Sequence, residues 1–387
     1  MNHRAGFACG ALAAMALAGC TALAGGARLE SAPATTSGKV AFHGLLPAQE
    51  DPGGSRVRYV FVIHGMGDTA PTYSDDLLAA IAGRYRHAAG EAYAPVTIDP
   101  AFKVSSEAFA CTSDAPPCRY DHFGELKVDR YEGNGRRIVV FTYFWNDDLW
   151  KIQEPFLHAD LESDSAAALN NSLKHNTIDR GFGDAAAYLG PAKQLVSAGV
   201  ERAVCAMLRD AASGLANPPA PKPCAFSELT AADAQGFGKI DYSFVSFSLG
   251  SRMLFDVLSP QTGTTGDALA RSGLAARTRS FFMLANQLPL LGLGDVTVTR
   301  EPRTSATSDA PIVMPVSGAT TTGPCSRSFF SAAGCLHGKG ASTSDVAGFT
   351  PLAEGLEVVA FHQPEDLLGF RASGGLGSVD EVDSQIT

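Results

Sequence analysis

Apolar residues recur along this chain with two different periods. Tyr59, Val60, Phe61, Val62 and Ile63 form an unbroken apolar run, the mark of a strand buried on both faces, and HGMGDT (64–69) follows it as a glycine-bearing loop. Ser74 with Asp75 and Asp76 predicts a helix N-cap and acidic first turn, after which Leu77, Leu78, Ile81 and Tyr85 mark one helical face. Residues 88–135, with scattered prolines, are expected to be mostly loop with one short strand. RIVVFTYF (137–144) predicts the next strand, ended by Trp145, Asn146, Asp147 and Asp148. From 149 to about 236 the pattern turns helical: Val196, Val200, Val204 and Leu208 recur every fourth position, and Pro191 is expected to split the longer helical segment 185–208. Tyr242, Phe244, Val245 and Phe247 predict a strand that runs through SFSLG directly into a helix faced by Met253, Leu254, Val257 and Leu258. SFFMLA (280–285) and LEVVAF (356–361) predict two further strands. Between those two, residues 288–352 are rich in Gly, Ser, Thr and Pro, and beyond 371 the pattern is weak. No internal repeat appears at any fixed period.

Strands alternating with helices predict an α/β fold with a mostly parallel sheet, occupying 56–371 as one domain with a helical insertion at about 149–236 and a weakly structured tail at 372–387. Composition leaves the domain count open: 387 residues with 45% hydrophobic content can bury one large core, as a single elaborated α/β domain or as two domains. A net charge of −10 and no basic run interleaved with aromatics argue against a nucleic-acid partner.

The N-terminus changes the picture. His3 and Arg4 precede a small-residue apolar run, 5–18, which ends in LAGC (17–20). A basic start, a short apolar region and small residues before a cut make a secretory signal, too short to span a bilayer stably. The LAGC ending resembles the lipobox of bacterial lipoproteins, which implies that residues 1–20 form the signal, that Cys20 carries the lipid anchor, and that the protein is exported and held on a bacterial membrane, facing the periplasm or the cell surface. Residues 21–55, rich in Ala, Gly, Ser, Thr and Pro, are expected to be a flexible tether. Six cysteines remain, and near neighbours in sequence are expected to pair in an oxidising compartment: Cys111 with Cys118, Cys205 with Cys224, and Cys325 with Cys335.

The strand-to-helix junction carries the candidate chemistry. Ser248 is flanked by Ser246 and Gly250, giving the GxSxG nucleophile elbow with serine at the first glycine position. Together with the HGMGD loop after an early strand, this resembles the α/β-hydrolase family, over roughly 56–371. The resemblance implies a serine hydrolase, of the esterase or lipase kind, cleaving a small hydrophobic ester or lipid through an acyl-enzyme on Ser248. It also implies an oxyanion hole made by the amide of Leu249 with that of Gly65 or Met66. His64 reads as a histidine that orders its loop rather than as the base. For the acid, Asp366 in PEDLL leads and Asp295 is the reserve. The base is the open position: the family places a histidine beyond the acid, after a further strand, and no histidine follows His362. His337 precedes Asp366, and His362 keeps the order serine, acid, histidine only if Asp295 is the acid. Either the chain is shortened or the base comes from an unusual place; an alternative is a surface lipoprotein that keeps the scaffold for binding or assembly without turnover. HExxH, P-loop and EF-hand patterns are absent and GMGDTA lacks the third glycine of a dinucleotide fingerprint, so no cofactor or metal is implied. The paired acids Asp75/Asp76 and Asp147/Asp148 read as solvated turn and cap positions.

Overall fold

The structure, a computed structural model, describes residues 45, 56–67, 69–104, 115–116, 118–161, 174–190, 192–214, 220–259, 263–285, 287–291, 349, 356–362 and 380–383. Eight strands form one sheet: β1 (Val57–Ile63), β2 (Arg86–Lys103), β3 (Arg119–Gly133), β4 (Arg136–Phe144), β5 (Asp241–Phe247), β6 (Thr278–Leu284), β7 (Glu357–His362) and β8 (Asp380–Asp383). Their order across the sheet is β2-β3-β4-β1-β5-β6-β7-β8. From β4 to β8 all neighbours are parallel, while β2 and β3 are antiparallel additions at one edge. This is an α/β architecture with a mostly parallel central sheet.

The sheet is covered on both faces, which is why its central strands carry unbroken apolar runs. Tyr59, Phe61 and Ile63 of β1 point into the larger core, with Phe141 and Phe244 from the neighbouring strands. Val60 and Val62 point the other way, onto Leu78 and Ile81 of α1 (Asp75–Ala82). The larger core is filled by α4 (Lys193–Ser213), α6 (Leu249–Leu258) and α7 (Thr265–Arg277). The remaining helices are α2 (Asn146–Leu161), α3 (Gly183–Leu189), α5 (Ala231–Phe237) and α8 (Leu288–Leu291), with a π-helical turn at Lys174–Phe182 and a 3-10 turn at Phe226–Glu228. The helical run breaks between α3 and α4, around Pro191, and Val196, Val200, Val204 and Leu208 of α4 are all buried.

Two buried charge clusters pin helices to the sheet. Asp210 of α4 accepts hydrogen bonds from both terminal nitrogens of Arg130 on β3, at 2.6 and 3.1 Å, and from the Tyr59 hydroxyl of β1 at 2.7 Å. Asp241, at the start of β5, pairs with Arg277 at the end of α7 and with Arg279 on β6, the latter at 2.8 Å. The Cys205–Cys224 disulfide ties α4 to the segment before the 3-10 turn. Cys118 is also disulfide-bonded; Cys111, Cys325 and Cys335 lie outside the described residues.

Three expectations need correction. Residues 88–135 are not mostly loop: they hold most of β2 and β3, a long antiparallel pair. β2 lies at the sheet edge, where Pro95 costs no internal ladder bond and where repeated register shifts break the alternation. Within 372–387, expected to be weakly structured, the described residues 380–383 form β8, which pairs in parallel with β7. Ser74 stands at the N-cap of α1, but its hydroxyl meets that of Thr142 at 3.3 Å and does not cap the helix. Asp148 is buried rather than solvated, accepting the Gly124 amide at 2.6 Å and the Lys151 ammonium at 2.6 Å.

Candidate functional site

Ser248 sits between the last residue of β5 and the first of α6 with φ 50° and ψ −121°, a backbone conformation that residues with a Cβ rarely adopt. Local contacts hold it there. Its amide donates to Leu284 O at 2.8 Å on the neighbouring strand, and its carbonyl accepts the Ser251 amide at 3.1 Å. Close packing around the turn explains the small residues beside it. A Cβ on Gly250 would run into the His64 carbonyl. Ser246, fully buried, accommodates its extra hydroxymethyl by donating to Phe282 O at 3.0 Å beside the Ser251 hydroxyl at 2.9 Å.

The loop after β1 comes directly against this serine. A Cβ on Gly65 would stand 2.5 Å from Ser248 Cβ and 3.2 Å from its Oγ, so only glycine fits. Leu249 is the first residue of α6, and its N–H is one of those a helix leaves without an internal acceptor. Met66 is half-buried and packs on the main core. The structure thus brings Ser248, Leu249 and Gly65 together at the carboxyl end of the sheet.

Residues distant in sequence fix the loop's shape. His64 is buried and stacked flat on Trp145, with ring centroids 4.8 Å apart. Its Nε2 accepts the Trp145 amide at 3.1 Å, so Nδ1 carries the proton and donates to Gly65 O at 2.7 Å. Burial pushes its pKa down to about 3. With both ring nitrogens committed to backbone, His64 orders the loop. Gly67, at φ +94°, donates its amide to Asp184 Oδ2 at 2.7 Å, while its carbonyl accepts from Asn146 Nδ2 at 3.1 Å. Asp184 Oδ1 also accepts from Gln153 Nε2 at 2.7 Å. Burial raises the Asp184 carboxyl to about 7, an effect only partly offset by these hydrogen bonds and by Arg180.

Set against known proteins, the chain matches no family model, no curated protein and no solved structure. Phe247 of β5 pairs with Leu284 of β6, which pairs with Phe361 of β7. The next residues on these three strands are Ser248, Ala285 and His362, so the backbones of Ser248 and His362 share one sheet edge, two strand spacings or about 10 Å apart. Ala285, between them, has φ 50°, a second non-glycine residue in a disfavoured conformation at this edge. On its far side His362 is in register with Asp383 of β8.

Asp366 and Asp295 lie outside the described residues, as do Cys20, the rest of the proposed signal and, apart from Leu45, the proposed tether. Among the described residues no helix is long and apolar enough to cross a membrane, and no cluster of three or more His, Cys, Asp or Glu is placed to hold a metal. Sequence reasoning missed Asp184, Asn146 and Trp145, which build the loop, and the backbone strain at Ala285. It also missed Asp383, whose pairing with His362 has no local sequence signal.

Proposed function

We propose that the protein is a serine hydrolase of the α/β-hydrolase type that cleaves carboxylic esters through an acyl-enzyme on Ser248. The observation that carries this reading is the strained turn at Ser248 with Gly65 packed against its side chain. A strained serine between a parallel strand and a helix costs stability, and such strain persists where a fold uses it. In the proposed reaction Ser248 Oγ attacks the ester carbonyl carbon, and its proton passes to a base. The carbonyl oxygen, now negative, is met by the Leu249 amide and by an amide of the Gly65–Met66 segment. Collapse of the tetrahedral intermediate expels the alcohol, which takes the proton, and water repeats the sequence to release the acid.

His362 is the base that strand register favours, because it shares the Ser248 edge while His64 is committed to its loop. Asp383, in register with His362, is the acid that strand pairing supports. The chain order would then be serine, histidine, acid; triads are defined by geometry, and several orders serve. Hydrolysis of a series of nitrophenyl esters tests the reading. Turnover should fall by about 10³-fold or more in both Ser248→Ala and His362→Ala, and Asp383→Asn should lose more than Asp366→Asn. Equal turnover in wild type and Ser248→Ala would remove the proposal.

A further inference from the structure

The sheet edge opposite Ser248 carries a concentration of positive charge that the proposed hydrolysis does not use. There the starts of β1, β2 and β4 and the end of β3 frame a basin of about 620 Å3 lined by Arg56, Arg86, Arg136 and Arg137 together with Glu132. Register explains the convergence: Arg86 pairs with Glu132, Glu132 with Arg137, Gly133 with Arg136, and Arg137 with Val57. Adjacent strands lie about 4.8 Å apart, so four guanidinium-bearing side chains leave one short stretch of edge. Glu132 takes Arg137, at 3.1 Å from its Nε. Among the described residues, no carboxylate pairs with Arg56, Arg86 or Arg136. By contrast Arg130, Arg277 and Arg279 are spent on buried aspartates. Among the described residues, four cations against one anion line the basin, a local excess of positive charge in a chain whose net charge is −10.

The chain also arrives at this edge. Arg58, near the start of β1 and two positions along the chain from Arg56 of the basin, donates from Nη1 to Leu45 O at 3.1 Å, and Leu45 packs on the smaller apolar cluster. A link of about 25 residues from Cys20 to Leu45 would reach up to roughly 85 Å when extended, so a lipid anchor there would impose no orientation by itself. A second contact would.

We infer that the arginine basin docks the domain on the phosphate groups of an anionic phospholipid bilayer, with the Ser248 edge turned away from the membrane. Guanidinium groups suit this because they bind phosphate oxygens in pairs. The substrate consequence rests on the hydrolase reading, although the docking does not: an active edge facing away from the bilayer takes esters from solution rather than lipids from the membrane surface.

Vesicle flotation of the full chain carrying Cys20→Ser, which removes acylation, tests the inference. Phosphatidylcholine vesicles are compared with vesicles that also contain phosphatidylglycerol. The account expects an increment of binding from phosphatidylglycerol that fades as salt rises from about 0.1 to 0.5 M. It expects roughly a 100-fold loss of that increment in the triple variant Arg56→Gln, Arg86→Gln, Arg136→Gln, at about fivefold per basic residue. These arginines are surface-facing, and an unchanged melting temperature and an unchanged fluorophosphonate labelling rate in solution confirm that the variant is folded. No phosphatidylglycerol increment, or an equal one in the triple variant, overturns the inference. Displacement by millimolar inorganic phosphate, or tighter binding to an oligonucleotide than to vesicles, overturns it too, assigning the basin to a soluble anion or to nucleic acid. A labelling rate that rises on phosphatidylglycerol vesicles would refute the orientation; failure of any form to label would instead reject the hydrolase reading and leave the docking standing.

Discussion

The tightest constraint on single residues is the approach of Gly65 to Ser248. Because an added Cβ would stand 2.5 Å from that of Ser248, Gly65→Ala must push the loop or the elbow away and, on the proposed reading, displace an oxyanion donor. We expect ester turnover to fall roughly a hundred- to thousandfold, the loss typical of one misplaced oxyanion donor, while calorimetry shows a cooperative melt. Asp184 offers a test by pH. Its folded pKa of about 7 lies above the ordinary carboxylate value, so below pH 4 the folded protein gains from holding the proton, and that gain is lost as pH rises through 7. His64 works in the opposite direction: stability from its neutral ring is full above pH 6.5 and is lost as pH falls toward 3. Asp184→Asn keeps an acceptor for Gly67 and removes the titration. Urea melts should therefore show the variant gaining on wild type between pH 4 and pH 8, by an amount on the order of 4 kcal/mol. A pH-independent difference would show that Asp184 does not titrate as described. Legibility at this scale follows sequence distance. Ser246, Ser248 and Gly250 are neighbours, so the elbow is written locally; Asp184 meets Gly67 across 117 positions and leaves no local trace.

Elements were legible where both faces of a strand are buried. β1, β4, β5 and β6 carry apolar runs because helices cover the sheet on each side. β3 carries no apolar run: Tyr120, Leu126, Val128 and Tyr131 are buried, and their alternation with charged residues, itself a strand signal, is interrupted at Gly124 and by the adjacent Asp129 and Arg130. The signal that could have found it is Asn134–Gly135, whose φ values of 53° and 70° make the two-residue hairpin turn joining β3 to β4. Four residues of β8, DEVD, are too few and too acidic to stand out. Helix α4 was legible from its fourfold repeat, yet its anchorage was not, since the Asp210 contacts come from β1 and β3. Asp210→Ala would leave Arg130 buried without its carboxylate. We expect a loss of about 3–5 kcal/mol in chemical denaturation, recovered in part when Arg130→Met is added.

For the whole molecule, the alternation of strands and helices pointed to the α/β sheet, and composition allowed a large core without choosing between one domain and two or showing how charge is distributed. A net charge of −10 conceals a basic edge opposite the serine, because Arg56, Arg86, Arg136 and Arg137 converge only when four strands pair. The parallel register likewise places Ser248, His362 and Asp383 along one edge, although residues 248 and 362 are more than a hundred positions apart. On the proposed reading the two ends of the sheet have separable roles, chemistry at one and docking at the other. The claim on which the rest depends is that Ser248 is an activated nucleophile. Treating the folded chain with a fluorophosphonate and mapping the adduct by peptide mass spectrometry tests it most directly. The account predicts one stoichiometric adduct on Ser248, absent after heat denaturation and absent in His362→Ala; an unlabelled Ser248, or labelling that survives unfolding, would contradict it.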